Sequence, residues 1–304
     1  MTTQTNTDIK LENFNDVWSL GYHEVIEKKF HELLGQAEAL QDKSIYLQIL
    51  SQIALAQALQ KKFDAAHKTL DDAQALLTPA YDLARARILL ERGRVFHQAD
   101  NIQEAKVYFE QAFEFSAQHK FDFYTIDAAH MIAILAEPTQ EKIQWNQRAL
   151  DLAAHTKDSR AALWIGSLSN NLGQNYFEEK QFEKALSAFQ KALECRKKEG
   201  YAPNIRIAQW AIARTLRLLE RLDNAEIMLL TLVKEYDALT ESGNLDMPVE
   251  SLKLARGWVH EELAEVYHVK SKFFANAAYN DLSPDEMFRK TAPERLERLK
   301  QLGH

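Results

Sequence analysis

Apolar residues recur at spacings of three and four along nearly the whole chain. From Ala84 to Phe96, Leu89, Leu90, Gly93 and Phe96 fall on one helical face. From Gln181 to Leu193, Phe182, Ala185, Leu186, Phe189, Ala192 and Leu193 do the same. No stretch shows the strict alternation of a half-buried strand. Polar breaks separate the periodic runs at Gln41-Asp42-Lys43-Ser44, at His155 to Ser159 and at Lys198 to Pro203. The longest break is Thr240 to Pro248. Pro79, Pro138 and Pro203 fall between helical runs. Ser283-Pro284-Asp285-Glu286 reads as a helix start with a cap, a rigid first residue and an acidic first turn, and Pro293 marks a break or restart in that last helix. The pattern predicts an all-α chain of paired helices.

The pairs repeat. Leu172-Gly173 is followed by Tyr176, Ala185, Phe189 and Ala192. Small residues at 173 and 185 let two helices cross closely, and the rings of Tyr176 and Phe189 fill the space around the crossing. With Gly166 taken as the start of that repeat, a second copy from Ala86 carries Gly93, Phe96, Ala105, Phe109 and Ala112. A copy from Leu47 carries Ala54, Ala66, Leu70 and Ala73. One from Arg206 carries Ala213, Leu216, Ala225 and Leu229. One from Phe14 carries Leu20-Gly21, Phe30 and Leu33. A weaker copy from Phe123 ends at Ala149-Leu150. A degenerate one from Gly257 has Leu263-Ala264 and Tyr267 but Asn276 where alanine is expected. A single helical pair cannot bury its apolar face alone, so such repeats stack.

These residues resemble the tetratricopeptide repeat family, whose usual period is ~34 residues. The resemblance covers roughly residues 14–282. It implies a right-handed superhelical solenoid of about seven helical hairpins, preceded by a flexible polar segment (1–13) and closed by a charged capping helix (283–304). Met287, Leu296, Leu299 and Leu302 are the apolar residues available to cover the last hairpin.

Composition narrows the function. Nine glycines and six prolines in 304 residues are few, as expected of a chain helical almost throughout. A net charge of −7 argues against a general nucleic-acid binder and against acidic membranes. The polar start Met1 to Asp8 lacks the apolar core of a signal peptide or anchor, and no run is long and apolar enough to span a bilayer. The single cysteine, Cys195, excludes an internal disulfide and fits a reducing, cytoplasmic setting.

Catalysis has little support. His260-Glu261-Glu262 begins like a zinc-protease motif, but position 264 is alanine. There is no phosphate loop or dinucleotide fingerprint, and neither a metal nor a cofactor is expected. The expectation is a non-enzymatic adaptor for a protein or peptide partner, or alternatively a peptide-sensing regulator whose solenoid changes conformation. The resemblance implies that the first helix of each pair lines a concave groove. Candidate groove residues are Asn170, Asn171 and Gln174 in the repeat from 166, Trp210 and Arg214 in the next, and Arg94 upstream. Arg87, Leu90, Glu91, Tyr124 and Asp127 occupy equivalent places. Amides pair with an extended backbone, and arginines take carboxylates. Asn171 matches the asparagine by which many family members hold a ligand backbone. The Lys/Asn/Arg set of chaperone-tail binders is otherwise missing. Glu91 interspersed among Arg85, Arg87, Arg92 and Arg94 offers a competing explanation, local ion pairing.

Overall fold

The computed structural model describes residues 10–283, 289–290 and 293–303. Among the described residues every regular element is helical. A 3-10 segment, Leu11–Leu20, pairs with α1 (His23–Ala39). The following pairs are α2 (Lys43–Leu59) with α3 (Phe63–Ala75), α4 (Asp82–Gln98) with α5 (Ile102–Gln118), and α6 (Asp122–Leu135) with α7 (Thr139–His155). A single turn, α8 (Ser159–Ala162), leads into α9 (Trp164–Glu178), which pairs with α10 (Phe182–Glu199). α11 (Ala202–Leu218) pairs with α12 (Leu222–Ser242). The last elements are α13 (Val249–Leu282) and α14 (Pro293–Gly303). The chain is an all-helical repeat solenoid. It divides into two compact units, one up to Leu168 and one from Ser169, and the division falls inside α9.

The expected small–large pairing decides how each hairpin closes. Phe109 is fully buried against Gly93, and Phe189 is nearly so against Gly173. A Cβ added at either glycine would come within 2.5 Å of the partner ring. No other residue lets the backbone approach the ring so closely. In the amino-terminal unit, Phe14, Val17, Ile26, Phe30 and Leu33 form one buried cluster. Leu47, Ala54, Leu70, Ala73 and Ile88 form the next. In the carboxy-terminal unit, Phe189 packs with Ile212, Leu216, Leu229, Leu232 and Tyr236.

Six of the turns share one device. Gln41, Lys61, Asp100, Lys120, Lys180 and Glu220 adopt left-handed backbone, with φ between 56° and 62°. The residue after each donates its N–H to the carbonyl five positions back, as Lys62 does to Gln57 (2.9 Å) and Gln181 to Tyr176 (2.8 Å). This bond closes the orphan carbonyls of the preceding helix. Glycine is the usual residue at such a position, and here none of the six is glycine.

The prolines behave as helix starters. Pro138 precedes α7, Pro203 sits in the first turn of α11, and Pro293 opens α14. The longest break is shorter than expected. α12 continues to Ser242 and stops at Gly243, whose φ is 67°. Asp246 in the remaining loop is then held by buried Arg206, at 2.7 and 2.9 Å.

Two expectations change. The polar start gives way to helix at Leu11, which is buried, not at residue 14. The repeat from Gly257 does not turn back on itself: α13 runs unbroken for 34 residues through Asn276. Between Tyr267 and Asn276 the sequence His-Val-Lys-Ser-Lys-Phe-Phe-Ala offers no glycine, proline or aspartate to stop a helix. The returning helix of that last pair is α14. It packs on α13 through buried Leu296 and a 3.0 Å bond from Asn276 Nδ2 to the Gly303 carbonyl, while Leu302 stays exposed. The expected helix start at Pro284-Asp285-Glu286 and Met287 lie outside the described residues.

Candidate functional site: a groove in the amino-terminal unit

A cavity of about 630 Å³ opens within the amino-terminal unit. Almost all of its walls are first helices of successive pairs. The 3-10 segment supplies Asn15 and Trp18, α2 supplies Gln52 and Leu55, and α4 supplies Leu90, Arg87, Glu91 and Arg94. Farther along, α6 supplies Phe123, Tyr124 and Asp127. Arg160, Leu163, Trp164 and Ser167 close the end.

A chain of hydrogen bonds crosses from one helix to the next. Trp18 Nε1 donates to Gln52 Oε1 (2.7 Å), and Gln52 Nε2 donates to Glu91 Oε1 (2.8 Å). Arg94 then donates to both oxygens of Glu91 (3.0 Å each) and to Asp127 Oδ1 (2.5 Å). Glu91 and Asp127 are buried. Burial alone would lower the Arg94 pKa, but Asp127 and Glu91 outweigh it and raise it, so the guanidinium is firmly charged. His130, beside Asp127 and Arg94 and 5.1 Å from the Trp164 ring, is held below its ordinary pKa. Burial is the largest cause, and the Arg94 charge works in the same direction against Asp127.

Arg87 differs from Arg94. It is 7% exposed, and no carboxylate among the described residues lies within 4 Å. Nη2 donates to Asn15 Oδ1 (2.6 Å), the guanidinium lies 4.9 Å from the Phe14 ring centre, and Nε is buried without a partner. At the far end Arg160 stacks over Phe123 (5.2 Å) and touches Asp158 at 3.4 Å. Leu163, which lines the cavity, is 68% exposed.

The residues picked out in the sequence divide between the two units. Arg94 lines the groove, but the carboxylates it takes are the chain's own, Glu91 and Asp127. Arg92 instead pairs with Asp71 at 2.8 Å. Asn170, Asn171, Gln174, Trp210 and Arg214 lie in the carboxy-terminal unit. Asn170 and Asn171 are half-buried. Gln174 is exposed and donates to Glu178 (2.9 Å), one turn away on its own helix. Arg214 stacks over Phe177 (4.3 Å) and Trp210 (5.5 Å), and Trp210 Nε1 donates to the Trp258 carbonyl (3.3 Å). Trp18, Gln52, Phe123 and Trp164 were not among the expected groove residues. For Trp18 and Gln52 the signal is spacing. Trp18–Gln52, Gln52–Glu91 and Arg94–Asp127 are separated by 34, 39 and 33 residues, close to one repeat each.

The tetratricopeptide repeat model matches residues 86–119 and again 164–233. These two stretches are tetratricopeptide repeats. A comparison with curated proteins finds no match. Among solved structures, BtubC (BKLC) from P. vanneervenii is 15% identical. The alignment covers 77% of this chain and 93% of that one, with a TM-score of 0.58. The apo form of RapI is 14% identical over 95% of this chain and 81% of its own, with a TM-score of 0.60. A signal-transduction ATPase with numerous domains and a tetratricopeptide repeat sensor, from Pyrococcus horikoshii, is 14% identical. It covers 93% of this chain and 44% of its own, with a TM-score of 0.58. At these identities the likeness is one of fold. No helix among the described residues is long and apolar enough to cross a membrane.

Proposed function

We propose that this protein is a non-enzymatic interaction module that binds an extended segment of a protein or peptide partner in the groove of its amino-terminal unit. The observation that carries this is the cavity itself: helices of successive repeats supply its walls, and it is large enough for a small ligand or a few residues. Trp18, Leu55, Phe123, Leu163 and Trp164 offer apolar surface there, while the inner charges of Glu91, Arg94 and Asp127 are already paired. A ligand thus gains apolar burial without breaking that network. Asn171, Trp210 and Arg214 are a further contact region in the same role, with Arg214 presented on an aromatic platform. Binding at these surfaces, and no chemistry, is the proposed activity.

The test compares proteins captured from native extract by wild type, by Leu55→Asp and Leu163→Asp in the groove, and by Val107→Asp on α5 outside it. A partner lost by both groove variants and kept by the α5 variant supports the assignment. A partner kept by all three refutes it. Asn171→Ala and Arg214→Glu, run alongside, test the second region separately.

A further inference from the structure

We infer that the elbow between α12 and α13 holds a small-molecule site for an amphiphilic anion, one acid group on an apolar chain. The site is separate from the groove of the amino-terminal unit and does not rest on it. A cavity of about 470 Å³ opens there, within the size range of small-molecule sites. Leu252 is a buried part of its wall, while Leu245 and Val249 line it with 38% and 48% of their surface exposed. Apolar surface left open in a concavity is what an apolar ligand covers with gain. The wall is built before any ligand arrives. Leu245 lies in the loop that Asp246 ties down, through bonds of 2.7 and 2.9 Å from buried Arg206, whose guanidinium lies 5.2 Å from the Tyr236 ring centre.

Charge and shape fix the class. Among the described residues every ionisable group lining the cavity is basic: Lys253, Arg256 and His260, three and four residues apart and so on one face of α13. In a chain of net charge −7 such a grouping favours an anion locally. The chain's own carboxylates hold these groups loosely. Lys253 meets Glu250 at 3.2 Å, but both side chains are mostly exposed and such a pair is weak. Arg256 meets Asp237 at 2.5 Å, while its Nε is buried with no partner. An inorganic ion would leave Leu245 and Val249 uncovered, and a neutral hydrocarbon would leave the basic face unused. Gly257 supplies the shape. It stands inside a helix, where only proline is a poorer residue, and it lines the cavity. Gly93 and Gly173 each have a ring pressed against them, whereas a Cβ at Gly257 would meet nothing within 4 Å. No packing requires the missing side chain there, and its absence keeps the cavity open.

The probes are octanoate, octyl sulfate, octanol and octyltrimethylammonium, each titrated calorimetrically into purified full-length protein below its micelle concentration. At least one of the two anions should saturate a single site and bind about tenfold or more tighter than octanol, and the cation should not bind. The tighter anion shows whether the acid is a carboxylate or a tetrahedral ester. Gly257→Leu should abolish binding with no loss of helicity or melting temperature, because leucine favours helix and its side chain enters open space. Lys253→Gln, and Arg256→Gln combined with Asp237→Asn so that no carboxylate is stranded, should each bring the anion's affinity toward that of octanol and leave octanol unchanged. A merely structural role would weaken both ligands alike. Equal affinity for the anions and octanol, binding that survives Gly257→Leu, or no saturable heat with either anion would each overturn the inference.

Discussion

Replacing Gly173 by alanine should change sign with its neighbour. In the wild-type background two effects oppose. Alanine gains ~1 kcal/mol over glycine inside a helix. Its Cβ, however, would sit 2.5 Å from Cδ1 and Cε1 of Phe189 and 2.9 Å from Cγ, far inside contact distance. Phe189 is 2% exposed in a packed cluster, so the ring has no free volume to swing into. Overpacking of this kind costs ~1–3 kcal/mol, which leaves Gly173→Ala destabilising by up to about 2 kcal/mol. Phe189→Ala alone should cost ~3–5 kcal/mol. With the ring gone, Gly173→Ala should stabilise by about 1 kcal/mol, because only the helix term and some cavity filling remain. The double-mutant cycle should therefore give a coupling of ~1–3 kcal/mol. Urea titration followed by circular dichroism at 222 nm measures it, with Gly93 and Phe109 as an independent replicate of the same geometry. If Gly173→Ala stabilised both backgrounds equally, the ring would not be the reason for the glycine.

Three other outcomes can be checked by the same method. Lys61→Gly and Lys180→Gly should each stabilise by up to about 1 kcal/mol, because the left-handed turn strains a side-chain-bearing residue, whereas Lys62→Gly should not. Arg94→Met should cost ~3–5 kcal/mol by stranding Glu91 and Asp127, and adding Glu91→Gln and Asp127→Asn should recover part of the loss. His130 and His67 are both held below their ordinary value of 6.5, chiefly by burial, so the unfolded chain takes up protons first as the pH falls. Stability present above about pH 6.5 should decline below it, toward the folded-state values, and His130→Gln with His67→Gln should flatten that slope.

Much of the fold is legible because each hairpin needs the same local solution. The Gly93–Phe109 and Gly173–Phe189 pairs, sixteen residues apart in both cases, were readable as helix crossings and are found as such. The last repeat misleads because its heptad-like apolar spacing continues where a turn was due. Only the lack of a stop signal between Tyr267 and Asn276 distinguishes a 34-residue helix from a hairpin. The groove was partly legible: α4 contributes Arg87, Leu90, Glu91 and Arg94, as the helical face required. Which arginine is neutralised was not legible, since it depends on Asp127, 33 residues away, and on the amide of Asn15, 72 residues from Arg87. Proximity in sequence favoured Glu91 for all four arginines of α4 alike.

The Asn15–Arg87 bond has a consequence for how the amino end comes apart. Links such as Trp18–Gln52 and Gln52–Glu91 join each hairpin to the next, and on their own they would let the stack fray one pair at a time. Asn15 reaches past the second hairpin to the third. Peeling the terminal segment away strips Arg87 of the one hydrogen-bonded oxygen it has among the described residues, and keeping that segment docked clamps two pairs behind it. The first three hairpins should therefore open as one cooperative block, with a shared hydrogen-exchange rate where a simple stack would show a gradient.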